Sequence, residues 1–120
     1  MNKEYAKNLS EDIIKILDEK KAHNLKLLHV TEQTVIADYF VLANGSSSTQ
    51  IRALADEIEF KLGEKGIPLT RREGYAASDW IVLDYDCVLV HIFSREARDT
   101  FNLEKLWADA EDVDISSLLI

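Results

Sequence analysis

A single cysteine, Cys87, stands in the whole chain, so no disulfide can close within it and no cysteine-based zinc motif can form. Proline is equally scarce, with only Pro68, and glycine occurs four times, so few positions interrupt regular structure and no Pro- or Gly-rich linker divides the chain. No apolar run reaches the ~18 residues that a membrane-crossing helix needs. Residues 1–14, MNKEYAKNLSEDII, lack the unbroken apolar segment and small-residue cleavage site of a signal peptide. These absences lead to the expectation of a soluble, cytoplasmic protein without a membrane partner. An excess of basic residues is also missing: 22 acidic side chains face 14 basic ones, a net charge of −8. Such a surface repels phosphate backbones, which argues against direct, sequence-specific nucleic acid binding. A protein of this charge that works near nucleic acid is expected to meet a basic protein on that assembly.

The 120 residues are 47% hydrophobic, enough for one compact core. The most apolar stretch is Asp79 to Phe93, DWIVLDYDCVLVHIF, in which two β-rich runs flank Asp84-Tyr85-Asp86. It reads as a β-hairpin at the heart of a sheet. Upstream, Ala6, Leu9, Ile13, Ile16 and Leu17 follow the spacing of one helical stripe. Leu25 to Val30 reads as a strand, and residues 37–43, ADYFVLA, as a second strand, apolar on both faces and therefore central. Gly45 and the serines at 46, 47 and 48 then lead into a helix defined by Ile51, Leu54, Ala55, Ile58 and Leu62. Ile67 to Arg72 is expected as an edge strand because Pro68 cannot donate to a ladder. Ser94 caps a helix after the hairpin, and Leu103, Leu106 and Trp107 form an apolar patch on a second short helix beyond Asn102.

The reading is an α/β fold, an α+β mixed sheet of about five strands with helices packed on it, in the order α-β-β-α-β-β-β-α. A single domain is expected over residues 1–108. Residues 109–120, with four carboxylates between Asp109 and Asp114, are expected as an acidic, mobile tail.

The sharpest catalytic reading is nucleotidyl transfer, with Gly45-Ser46 at a helix start holding a phosphate and Asp84 with Asp86 holding a divalent metal. Against it, acidic residues are ordinary in a hairpin turn, and the aspartates lie far downstream of the Gly-Ser turn. His23, His29 and His91 have no ligand spacing, so no metal and no cofactor are expected. His91 reads as a histidine hydrogen-bonded within the sheet, and Cys87, placed on the same face by alternation, as a small core residue. Trp107 reads as core. Trp80 alternates with Val82 and Asp84, which puts a carboxylate on the face of the indole and suits a surface that is not wholly buried.

Six segments together carry a resemblance: residues 37–48 (ADYFVLANGSSS), 54–59 (LADEIE), 73–75 (EGY), 79–85 (DWIVLDY), 90–93 (VHIF) and 103–107 (LEKLW). In order and spacing they resemble the bacterial ribosomal silencing factor RsfS, or Iojap, family over nearly the whole chain. Two departures stand out, Asp86-Cys87 where the family usually has Gly-Asp, and Phe101 where a tyrosine is usual. The resemblance implies a nucleotidyltransferase-like fold without the catalytic residues, so no enzymatic activity. It also implies a translation repressor that binds ribosomal protein number fourteen of the large subunit and blocks joining of the small subunit when nutrients are scarce. Under this reading Trp80, Leu83, Asp84 and Tyr85 are the expected contacts with the basic ribosomal protein, and a homodimer through an exposed sheet edge is compatible with the same role.

Overall fold

The computed structural model describes residues 3–120. In chain order they form α1 (Lys3–Glu19), β1 (His23–His29), β2 (Tyr39–Asn44), α2 (Ser48–Glu64), β3 (Arg71–Glu73), β4 (Trp80–Asp84), β5 (Val88–Phe93), α3 (Arg95–Phe101), α4 (Leu103–Leu106) and β6 (Glu111–Asp112). A 3-10 turn at Ser116–Leu118 follows. The mixed α/β character and the element order agree with expectation, with β6 added. The six strands lie in the order β3-β4-β5-β2-β1-β6, and β2–β5 is the one parallel pair among them.

All six residues of β2 are buried, as a strand covered on both faces requires. The sheet's centre is therefore β2 with β5, so the β4–β5 hairpin supplies one of the two central strands and β4 lies beside it. The chain leaves β2 through Gly45, where a Cβ would come within 2.7 Å of Ile51 Cγ1. Only glycine lets the helix pack so closely to its strand. Ser47 then caps α2, its Oγ accepting from the Gln50 amide at 3.1 Å. The edge strand β3 is shorter than the sequence indicates and starts after Pro68, leaving the proline outside the ladder.

The two faces of the sheet are covered unequally. On one, Leu9, Ile13 and Leu17 of α1 and Ile51, Leu54, Ile58 and Leu62 of α2 pack on Val41, Ile81, Leu83, Val90 and Ile92. Here two helices of 17 residues each span the sheet. The other face has only α3 and α4, of 7 and 4 residues, whose Ala97 and Leu103 pack with Leu28, Phe40, Leu42 and Phe93. Six strands at about 4.8 Å spacing extend roughly 24 Å, more than twice the width of one helix. One half of this face is consequently left bare.

Arg98 decides which half. It is buried, and its Nη1 donates to the Asn24 carbonyl and to Asn44 Oδ1, each at 2.8 Å, while Nε and Nη2 fork onto Glu104 at 3.0 and 3.2 Å. Hydrogen bonds from the guanidinium hold the Glu104 carboxyl below its ordinary range. This pins α3 and α4 over β1 and β2 and leaves β3, β4 and the outer side of β5 uncovered.

Residues 109–120, expected as an acidic, mobile tail, lie against the sheet and α1 in the structure. β6 pairs with β1, Leu28 opposite Asp112 and His29 opposite Glu111, and the Val113 amide donates to the Leu27 carbonyl at 2.9 Å. Val113, Ile115 and Leu118 pack on the core, and the Ile120 amide donates to Asp18 Oδ2 at 2.8 Å. The acidic residues that made this stretch look solvated meet Lys26, 3.3 Å from Asp112, and His29, 3.2 Å from Glu111. No helix among the described residues is long and apolar enough to cross a membrane.

Candidate functional site

Alternation along β4 sends Ile81 and Leu83 into the helix-covered core and turns Trp80, Val82 and Asp84 to the other face. Pairing then assembles the bare half strand by strand. Val82 lies opposite His91 and Asp84 opposite Leu89 on β5, while Arg71 and Glu73 of β3 lie opposite Asp84 and Val82. Arg71, Glu73, Val82, Asp84 and Leu89 line a shallow depression of about 190 Å³.

Trp80 closes the end of this surface nearest α3. Its ring lies 5.2 Å from Phe93 and 4.7 Å from Phe101, centre to centre, and Phe101 keeps 52% of its surface exposed. The indole Nε1 donates to His91 Nδ1 at 3.1 Å. That bond requires an unprotonated Nδ1, so the neutral imidazole carries its hydrogen on Nε2, which is buried without a partner. Burial pushes the His91 pKa down to about 4. His91 thus serves, as expected, as a structural residue within the sheet, holding the indole in place.

Of the four contacts expected from the sequence, Trp80 and Asp84 share this face, and Leu83 and Tyr85 do not. Leu83 is fully enclosed and Tyr85 is 3% exposed, both in the core beneath α1 and α2. Leu83 lies off this face because the adjacent Leu83 and Asp84 of a strand point to opposite faces. Val82 and Leu89 share the face with Trp80 and Asp84, and Phe101 borders it, none of which the sequence reading included as contacts. Counting by two from Trp80 would have found Val82; Leu89 needs the hairpin register, and Phe101 needs the tertiary position of α3.

Tyr85 Oη is buried and without a partner, and burial, followed by the charge of Glu59, pushes its pKa up to about 12. An unsatisfied hydroxyl destabilises the fold, so Tyr85→Phe is expected to be neutral or stabilising by up to about 1–3 kcal/mol in urea denaturation at neutral pH. A loss of stability in that variant would mean that the hydroxyl has a partner.

The groups of the catalytic reading are not brought together. Asn44, just before Gly45, lies opposite Phe93, whereas Asp84 lies opposite Leu89. Four strand residues, about 13 Å, separate those levels. The Asp84 Oδ1 accepts from the Asp86 amide at 2.8 Å, and Asp86 Oδ1 accepts from Thr70 Oγ1 at 3.0 Å. Both carboxylates therefore shape the turn. Asp86 has φ +69°, the left-handed conformation that glycine adopts most readily and aspartate tolerates, which accounts physically for a glycine being usual there. This turn also breaks the alternation, so that Cys87 joins the helix-covered core and not the His91 face. Burial raises its thiol pKa.

Residues 3–119 match the family described as "Ribosomal silencing factor during starvation". The chain is 37% identical over 98 residues to the ribosomal silencing factor RsfS of Bacillus subtilis, covering 82% of this chain and 83% of the relative. With RsfS of Halalkalibacterium halodurans it shares 36% over 106 residues, 88% of this chain and 91% of the relative. Among solved structures, protein CV0518 of Chromobacterium violaceum superposes with a TM-score of 0.79 at 26% identity, covering 90% of this chain and 88% of that one.

Proposed function

The chain belongs to the RsfS family of ribosomal silencing factors, and from that premise we propose that it binds the large ribosomal subunit through ribosomal protein number fourteen and thereby blocks joining of the small subunit. The family places its role at the ribosome, in silencing. The proposed step is steric: the bare half-face docks on the basic ribosomal protein, and the rest of the domain occupies space the small subunit needs. No bond is made or broken.

The observation that carries this reading is the uncovered surface itself. Trp80, Val82, Leu89 and Phe101 offer aromatic and aliphatic atoms, and Asp84 and Glu73 add carboxylates at their margin. Arg71 lines the same depression and lies 3.4 Å from Glu73, so the charge argument rests on Asp84 and on the chain as a whole: the apolar atoms supply affinity, and carboxylates facing a basic partner fix orientation. The net charge of −8 points the same way.

Trp80→Ala is expected to weaken binding to purified large subunits by at least about 1–2 kcal/mol. Because the indole also packs inside the molecule, Phe101→Ala is the companion variant: half of that ring is exposed, so its removal should reduce affinity while the thermal transition stays put. Wild-type affinity in both variants would place the contact elsewhere.

A further inference from the structure

Two neighbouring arginines on β3 are held very differently. Strand pairing places Arg72 opposite Leu83, on the side of the helices, and Arg71 opposite Asp84, on the bare half-face. Arg72 Nη1 donates to Glu59 Oε2 at 3.0 Å, and its guanidinium lies 4.1 Å over the Tyr75 ring. Arg71 has a single long contact, Nη1 to Glu73 Oε1 at 3.4 Å, and both of these side chains stay more than half exposed. An exposed pair of that length contributes little to the fold, so Arg71 can leave its position at almost no cost.

The depression that Arg71 lines has a volume of about 190 Å³, below the range of small-molecule sites and enough for the head of one side chain. Two carboxylates open onto it. Glu73 meets Arg71, and Asp84, whose Oδ1 accepts from the Asp86 amide at 2.8 Å, has no donor on Oδ2 among the described residues. Val82 and Leu89 supply aliphatic carbon beside them. Such a lining suits a guanidinium, whose flat face packs on apolar atoms while its edge pairs with carboxylate oxygens. The chain's own Arg71 shows which chemistry the depression takes.

We propose that Arg71 is a displaceable placeholder: an arginine of the basic ribosomal protein takes its position against Glu73 and Asp84 when the half-face docks, and Arg71 moves aside. The inference rests on the proposed function and deepens it, by naming the side chain that the depression receives and the group that competes for it. Arg71 lowers affinity, since the incoming cation must meet a like charge and break the Glu73 contact before it pairs. It also sharpens selection, because a partner carrying no cation at this point displaces Arg71 without restoring the pair.

The test measures the Kd of fluorescently labelled protein for purified large subunits, with a thermal melt on each variant. Arg71→Gln should lower Kd about threefold, the size of one exposed ion pair, at an unchanged melt, and Glu73→Gln should raise it about threefold. Lys61→Gln, on α2 and so behind the opposite face of the sheet, changes the net charge by the same unit and should leave Kd close to wild type. An equal gain in Lys61→Gln would overturn the placeholder, because net charge alone then explains the effect. A higher Kd in Arg71→Gln would overturn it as well, by making Arg71 itself a contact. Val82→Lys, which places a positive charge in the depression, serves as the reference for the underlying reading. If it abolishes binding while Arg71→Gln or Glu73→Gln binds as wild type does, the placeholder is overturned and the half-face stands. If Val82→Lys binds as wild type does, both are overturned.

Discussion

Leu83→Ala is expected to lower the free energy of unfolding by about 2–5 kcal/mol while the folded variant binds the large subunit as wild type does. Leu83 is fully enclosed among Ile81, Val90, Ile92 and the inner faces of α1 and α2. Truncation removes buried methyl groups and leaves a cavity that a packed sheet-and-helix interior fills only in part. For a domain of this size the thermal midpoint falls by several degrees for each kcal/mol. The neighbouring residue on the strand gives the opposite pattern, since Val82→Lys changes binding far more than stability. If Leu83→Ala weakened binding at an unchanged melting temperature, the assignment of the two faces would be reversed.

The second large effect is loss of stability in mild acid, traceable to His91. Its folded pKa, about 4, lies below the 6.5 of the unfolded chain because burial penalises the imidazolium. The neutral ring therefore contributes stability that is fully present above pH 6.5 and is lost as the pH falls towards 4. With one pKa unit worth about 1.4 kcal/mol, the contribution lost is about 3 kcal/mol. Protonation also puts a hydrogen on Nδ1, against the Trp80 indole N–H that now donates there. His91→Gln keeps an acceptor within reach of the indole and removes the titration. Urea denaturation of both proteins between pH 7 and 4 should give profiles that converge or cross as the wild type loses its advantage. Parallel profiles would mean that His91 titrates alike in the folded and unfolded chains.

Legibility followed the range of the interactions. The stripe of Ala6, Leu9, Ile13 and Leu17, the doubly apolar β2 and the serine-capped α2 follow from local spacing, and all are present. The β4–β5 hairpin was also legible, but the central place of β5 depends on β2 pairing parallel with it across α2, β3 and β4. Strand β6 has two residues and no periodicity, and it is held by Lys26 and His29, some 80 positions upstream. The bare half-face, as a surface, was half legible. Trp80 and Asp84 follow from alternation, whereas the exclusion of Leu83 and Tyr85 required strict parity, and the admission of Leu89 and Phe101 required the hairpin register and the placement of α3. That placement hangs on Arg98, an arginine whose burial no local pattern announces.

The central claim is that one uncovered half of the sheet docks the protein on the large subunit and keeps the small subunit away. It is tested most directly by mixing purified large and small subunits with excess protein and sedimenting them through a sucrose gradient. Wild-type protein should travel with the large subunit and leave the subunits apart, and Val82→Lys should let them join. Joined ribosomes that form undiminished in the presence of excess wild-type protein would contradict the account.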